Sequence, residues 1–448
     1  MSLRIRTYDG TNWLGISTPI VPETRIATDW PFTADAWCNV PIGYDAVYGS
    51  PGDTLTQAIR GGITVSCAGT SKSISTGMNL NATYWSVPVN IAAVSDPTWT
   101  CQELDVSTGQ IANTFTIQAP DPILVSGELT QAIQGQSVNP DSAMVILASD
   151  GVTSDEIYKW GWPTQTTQRQ VYTRYGRHQT FNLKTDAGYR SDHQAIRAAG
   201  VPVLAGLIRA WEIQRAVADP TTAIRHALAI ALQSQQYVRA SRNSGVGYRW
   251  PAWSNDYMGD RAIQVVTPPT SGTFTISGGS NSYIAVYNVT VSTLQTAIAA
   301  WGGDYSGVSV SGTAGSSYNI TIAGAGANTL TTTGASITKP GTLYADSGVV
   351  MGQLIALDPA LDITTLGLST TLGMAMAYTL RDYGGYAVDS SGTMTCYAEV
   401  GAASLFSASN VVGDLAIIRT HLLPVVNATQ NNPGGGGAPR RAVAPAFA

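Results

Sequence analysis

The residues best equipped for chemistry are few. The chain has four histidines, and His226 has the most suggestive company: Arg225 precedes it, and Glu212 and Asp219 lie nearby in sequence. An imidazole beside a carboxylate can move protons near neutral pH. The Ala and Leu residues that follow it at helical spacing favour a hydrogen-bonded core histidine instead. Asp192-His193 is a second pair, in a Gly/Tyr/Arg-rich stretch where a solvated loop is the plainer reading. Glu212, Asp358 and Asp362 offer carboxylates for glycoside hydrolysis, and Asp358 or Asp362 for calcium. Asp358-Pro359 is equally a turn signal, and no EF-hand or repeat motif is present. No catalytic residue is assigned on this basis: His226, Glu212, Asp192 and His193 are weak candidates. No metal site and no cofactor are expected, because Walker, Rossmann, H-E-x-x-H and G-x-S-x-G patterns are missing from the sequence.

The aromatic residues carry more. Trp250, Trp253 and Tyr257 cluster beside Arg249, Asn255 and Asp256, and Trp160 and Trp162 flank Gly161. Flat rings next to amides, carboxylates and a guanidinium suit stacking on sugars with hydrogen bonds to hydroxyls. The competing reading is that the same rings cap a hydrophobic core.

Composition narrows the class. Charged residues make up 12% of the chain, about half the usual share of roughly 25%. Ser, Thr, Asn, Gln and Gly carry the polarity, as in β-rich surface proteins and virion components. The net charge is −5 with no basic stripe, which argues against nucleic-acid binding. No run approaches the ~18 apolar residues of a membrane span, so no membrane insertion is expected. Met1-Ser-Leu-Arg-Ile-Arg6 has no apolar core of a secretory signal. Synthesis in a host cytoplasm and release by lysis fit both facts. Cys38, Cys67, Cys101 and Cys396 form no C-x-x-C pair. Cys67 and Cys101 have the option of pairing across strands, and all four have the option of being small buried hydrophobes.

The elements that must position these residues read as mainly β with a few helices, an α+β chain. A host domain over 17–267 and 341–426, of β-sandwich or jelly-roll type, is interrupted by a β-rich insert over 268–340. The insert is marked by composition: between Pro268 and Thr338 the one charged residue is Asp304. Within it, Thr273–Ile276, Ile284–Tyr287, Val308–Val310 and Tyr318–Ile322 alternate as strands. Val291, Leu294, Ile298 and Trp301 line one helical face behind Thr290 as N-cap. In the host, short alternating runs such as Gly62–Cys67, Thr83–Val89, Thr114–Gln118 and Ala143–Ala148 predict strands. Thr221–Leu232 predicts a helix with Ile224, Leu228 and Leu232 in line, capped by Thr221 or Thr222. Val350–Leu357 predicts a strand, Ser369–Tyr383 a helix, and Tyr386–Asp389 with Met394–Tyr397 a closing hairpin. Asp9-Gly10 predicts an N-terminal hairpin over 1–16. The Gly/Pro-rich tail 427–448 reads as a linker.

Three stretches carry a resemblance. Tyr8-Asp-Gly-Thr-Asn-Trp13 resembles the docking arms that begin minor tail proteins of actinobacterial phages. The insert, through Gly272-Thr-Phe-Thr-Ile276, Tyr287-Asn-Val-Thr290 and Tyr318-Asn-Ile-Thr-Ile322, resembles a small β-rich unit of such tail proteins. The host is similar to a family of uncharacterised actinobacterial and phage proteins through Gly200-Val-Pro-Val-Leu-Ala-Gly-Leu-Ile-Arg209, His226-Ala-Leu-Ala-Ile-Ala-Leu232, Tyr248-Arg-Trp-Pro-Ala252, Leu357-Asp-Pro-Ala-Leu-Asp-Ile363 and Leu380-Arg-Asp-Tyr-Gly-Gly-Tyr-Ala-Val-Asp389. The resemblance implies a jelly-roll-like host and a phage minor tail protein in the virion, at the tail tip or adsorption apparatus. It implies other tail proteins and host-envelope glycan as partners, and a homo-oligomer, a trimer first. It transfers no catalytic residues. A cell-wall polysaccharide hydrolase or lyase on the same fold is the alternative, and a purely structural tail protein is the third.

Overall fold

The computed structural model describes residues 4–8, 13–17, 25–67, 70–104, 111–124, 126, 143–158, 160–161, 170–174, 178–189, 195–238, 247–256, 262–322, 330–338, 345, 348–407 and 410–447. Strands dominate and six α-helices accompany them among these residues, so the mainly-β, α+β class holds.

The N-terminal hairpin is formed. β1 (Arg4–Tyr8) pairs antiparallel with β2 (Trp13–Ser17), as the Asp9-Gly10 signal predicts. After it come α1 (Thr54–Arg60) and the ribbon of β3 (Thr64–Cys67) with β4 (Thr70–Ser73). The next strands are β5 (Met78–Asn81), β6 (Val89–Ile91), β7 (Thr98–Leu104), β8 (Ile111–Gln118), β9 (Ala143–Leu147) and β10 (Thr153–Tyr158). They are followed by β11 (Trp160–Gly161), β12 (Gln170–Arg174) and β13 (His178–Asn182).

Two four-stranded sheets are built from this region, in the orders β13-β10-β9-β6 and β11-β12-β7-β8. They share a small core of Trp99, Cys101, Ile117, Met144, Ile146 and Ile157. The period of two along β9 explains the layering. Met144 and Ile146 point into this sandwich, whereas Ala143, Val145 and Leu147 point the other way into the main core. All five are buried, which is why the run reads as continuously apolar.

The main core lies against a six-stranded sheet assembled from distant segments. After α2 (Ala210–Ala218) the chain forms β14 (Leu228–Gln233), and much later β22 (Leu354–Leu357), α4 (Thr371–Asp382), β23 (Gly385–Ser391) and β24 (Met394–Tyr397). α5 (Ala403–Ser407), α6 (Val411–Arg419) and β25 (Leu422–Val425) complete it. The strand order is β25-β22-β23-β14-β24-β5, with β14/β23 and β24/β5 parallel and the other pairs antiparallel. It is a mixed sheet, where a jelly roll pairs its strands antiparallel. α4 packs on β22, α6 on β5 and α1 on β25.

Two local expectations are corrected here. The helix expected over Thr221–Leu232 is an irregular segment followed by β14. Thr221 and Thr222 donate their hydroxyls to Asp219 rather than capping a helix, and every residue of β14 is buried. A strand buried on both faces shows no alternation and cannot be told from a buried helix by pattern. The closing hairpin is also replaced. β23 and β24 do not pair, because β14 lies between them. The short link passes over the end of β14, where the Gln233 amide donates to the Gly392 carbonyl at 2.9 Å. The helix expected over Ser369–Tyr383 stands as α4, with Thr370 accepting from Gly373 N.

The four strands and the helix that the pattern predicts for the insert are present, and three further strands, at 262–267, 331–333 and 336–338, join them. β15 (Ala262–Thr267), β16 (Thr273–Gly278), β17 (Asn281–Val286), α3 (Val291–Ala299), β18 (Ser309–Thr313), β19 (Ser317–Ile322), β20 (Thr331–Thr333) and β21 (Ser336–Thr338) make two sheets, β18-β19-β15-β21 and β17-β16-β20. Thr290 caps α3 by accepting from Thr293 N, and Leu294 and Ile298 are its buried face. They join Phe274, Ile276, Tyr318 and Ile320 in a core of their own. β15 belongs to these sheets, so the pairing begins at Ala262, ahead of the composition change.

The tail differs from a linker. Gly434, Gly435, Gly436 and Gly437 all have φ between 62° and 82°, a region that glycine alone enters without strain. A Cβ on Gly434 would lie 2.4 Å from the Pro41 carbonyl oxygen, and one on Gly437 2.7 Å from the Asp45 side chain. The glycines let the tail thread against residues 41–46. Gly43 N and Asp45 N donate to the Gly434 and Gly436 carbonyls, and Arg440 N donates to Ile42 O.

Candidate functional site

The sequence candidates Glu212 and His226 do meet. Glu212 is the third residue of α2 and reaches back to the helix start, accepting from Arg209 N at 2.9 Å. The same oxygen, Oε2, lies 3.1 Å from His226 Nε2. His226 Nδ1 lies 2.9 Å from the Ala227 carbonyl. Arg209 extends the network: its Nε donates to Glu399 Oε2 at 2.8 Å and its Nη1 to Thr28 O at 2.7 Å. All four side chains are buried. Burial alone would lower the His226 pKa, but the Glu212 carboxylate and the Ala227 carbonyl outweigh it and raise the pKa. Both ring nitrogens face acceptors, the pattern of a doubly protonated imidazolium. Such a ring has no lone pair to offer a substrate. The pair clamps α2 to the start of β14.

Asp358 and Asp362 hold turns. Asp358 accepts from Ala360 N, and Asp362 accepts from Thr364 N and its hydroxyl. Asp192 and His193 lie outside the described residues, as do Tyr257 and Trp162. For Trp160 only the backbone, in β11, is described. Cys38, Cys101 and Cys396 are buried free thiols pushed up to about 12 by burial, so Cys67 and Cys101 do not form a disulfide.

The two remaining tryptophans part company. Trp250 turns inward and meets Tyr386 edge-on at 6.0 Å. Trp253 is only half-buried and stands 6.0 Å from Tyr189, tilted by 48°. The backbone N–H of Trp253 donates to Ala199 O at 2.8 Å, and the Ser254 hydroxyl donates to Ala198 O, which fixes the segment against 198–199.

Three residues on from Trp253 is a polar cluster that sequence reading missed. Ser390, at the end of β23, donates its hydroxyl to Asp256 Oδ2 and its N–H to Asp389 Oδ1 at 3.1 Å. Two carboxylates therefore meet on one serine. Arg197 Nη1 lies 3.4 Å from Asp389 Oδ2, its Nη2 donates to Val203 O, and its guanidinium covers the Tyr397 ring at 4.2 Å. Tyr237 donates to the Asp389 carbonyl at 2.6 Å. Burial, then the Asp389 charge, hold the Tyr237 and Tyr397 hydroxyls well above their usual pKa, so both remain neutral donors. The side chain of Asp389 is 26% exposed, and Asp256 is likewise half-open. The cluster thus gathers two partly exposed carboxylates, one of them three residues along the chain from the half-buried Trp253. Among the described residues no group of three His, Cys, Asp or Glu side chains is placed to hold a metal ion. Asp256 and Asp389 stood in view, each ending an aromatic-rich motif. Ala199 brings them together: its carbonyl accepts from Trp253 N and its N–H donates to Val388 O, next to Asp389 in β23.

A buried carboxyl on β10 sets a pH response. Glu156 faces the main core, and its two oxygens accept from Val203 N at 2.9 Å and Leu204 N at 3.0 Å. Burial pushes its pKa up to about 7 against these donors. Because the folded pKa exceeds the unfolded one, the contribution is full below about pH 4.5 and is lost as pH rises through about 7. The expected loss is about 3 kcal/mol over that window. Urea melts at stepped pH check it: Glu156→Gln should flatten this part of the profile.

No family model, curated protein or solved structure matches the chain.

Proposed function

We propose that the chain is a minor tail protein of an actinobacterial phage, part of the tail tip or adsorption apparatus, and that it binds host-envelope glycan weakly. Its charge-poor, hydroxyl- and amide-rich composition, its N-terminal hairpin and its second, insert-borne core support a virion role. The copies would be arranged symmetrically, as a trimer on the tail axis, beside other tail proteins. One observation carries the binding reading: the half-buried Trp253 ring, beside Tyr189, sits on the same short segment as Asp256, which the Ser390 hydroxyl ties to the Asp389 end of β23. A sugar stacked on the ring would reach toward carboxylate acceptors that begin three residues along the same segment, at Asp256. One such site gives about millimolar affinity, ~4 kcal/mol, and several copies give tight attachment through effective concentration.

The test is titration of soluble actinobacterial cell-wall glycan fragments into the purified protein. Binding is expected with no products released, and Trp253→Ala should weaken it at least tenfold. The hydrolase reading retains one specific support, the two carboxylates on Ser390. Release of products that stops in Asp256→Asn or Asp389→Asn would replace binding by hydrolysis.

A further inference from the structure

Residues 83–89, expected as a strand, behave differently. Only Val89 enters one, as the start of β6. Before it the chain forms a loop in which Tyr84 is 60% and Trp85 51% exposed. Trp85 has φ 55°, a left-handed conformation that bulky side chains rarely adopt. Exposure of a large ring in a conformation unfavourable to it runs against both packing and backbone preference, and such outliers gather at functional sites.

The loop is mounted on a rigid base. Ala82 and Ser86 on either side are buried. Ala398 N donates to Asn81 O at 2.8 Å, and Val400 N to Val87 O at 3.0 Å. The Ser86 hydroxyl donates to Ala398 O. The rings thus project from the β5 edge of the six-stranded sheet without a flexible stem. Their surroundings in sequence are neutral: no charged residue occurs from Ser73 to Ser95. The exposed polar side chains there are Ser73, Ser75, Thr76, Asn79, Thr83 and Ser95, hydroxyls and an amide. The nearest carboxylate across the base, Glu399, is occupied by Arg209 Nε and Ala210 N.

We infer that Tyr84 and Trp85 form a second glycan-binding platform, for the apolar face of a neutral pyranose, with Asn79 and Thr83 placed for its hydroxyls. Rigid rings lose little entropy on binding, and neutral donors and acceptors match sugar hydroxyls without the cost of stripping a charge. The ligand class is the one proposed above; the site is independent of Trp253.

The experiment uses the full chain, the same neutral cell-wall fragments, and the variants Trp85→Gly and Tyr84→Ala, with Trp253→Ala alongside. Trp85→Gly removes the ring and suits the left-handed backbone, so its melting temperature should equal or exceed that of the parent. Its glycan binding should fall at least fivefold, with Tyr84→Ala falling in the same direction. Unchanged glycan binding in Trp85→Gly overturns the platform, whatever Trp253→Ala does. Loss of particle incorporation with glycan binding intact also overturns it, by assigning the rings to a neighbouring tail protein. A binding loss in Trp85→Gly with none in Trp253→Ala upholds this platform while removing the Trp253 site.

Discussion

Removal of residues 427–448 is expected to destabilise the rest of the chain strongly rather than leave its stability unchanged. A Gly/Pro-rich tail read as a linker should be dispensable for folding. The structure reverses that expectation. Gly43, Asp45 and Tyr44 donate to the carbonyls of Gly434, Gly436 and Ala438, and Arg440 N returns a bond to Ile42. Arg441 Nε reaches Asp382 Oδ2 at 2.5 Å. Asn427 accepts from Val47 N and donates to Asp45 O and Gly435 O. Ala428 and Ala444 are buried. At about 1 kcal/mol for each of the backbone bonds and somewhat more for the charged one, the tail contributes about 5 kcal/mol. That equals the lower end of the stability of a whole domain. Thermal melts of the truncated chain should show a midpoint lowered by 10 °C or more. A truncated protein melting at the parent temperature would return the tail to the status of a linker.

The second large effect is expected at His226. Replacing it by Ala leaves the buried Glu212 carboxylate without its cationic partner, and breaking one side of a buried pair costs about 3–5 kcal/mol. Glu212→Gln should cost less, since an amide oxygen still accepts from Arg209 N. The pH dependence has a defined sign. A histidine with a raised folded pKa contributes fully below its unfolded value of about 6.5, and the contribution is lost as pH rises through the folded pKa. This window lies above that of Glu156. Chemical denaturation of parent and His226→Ala at pH 5.5 and 9 separates the two: the gap between them should shrink at the higher pH. If the gap stays constant, His226 is neutral in the folded protein and the clamp is an ordinary hydrogen bond.

What could be read from the sequence was whatever is settled within a few dozen residues. Thr290, Leu294 and Ile298 specify α3 and its cap locally, and Phe274, Ile276, Tyr318 and Ile320 alternate in strands that find partners inside the same stretch. The N-terminal hairpin is equally local. Where the deciding partner is remote, the pattern misleads. β14 is a central strand between β23 and β24, buried on both faces, and nothing near Leu228 announces its neighbours. Gly434–Gly437 look flexible until residues 41–46 are laid beside them. The Glu212–His226 contact was suggested by proximity in the chain, but its role turned on the Ala227 carbonyl and Arg209 N occupying what a substrate would need. Asp256 and Asp389 were visible as residues and invisible as a pair.

The position of β14 has a consequence for the order of events on the ribosome. Its two neighbours, β23 and β24, are both encoded downstream of β15–β21, whose sheets take no strand from elsewhere among the described residues. Residues 262–338 can close their sheets while the six-stranded sheet still lacks its centre. During that interval β14, apolar from Leu228 to Leu232 and buried throughout in the finished sheet, must wait uncovered. Long-range pairings of this kind are slow and leave strands open to wrong partners. The completed β15–β21 sheets, which lie between β14 and β23 in the chain, then set the distance across which Leu228–Gln233 must find Gly385–Ser391.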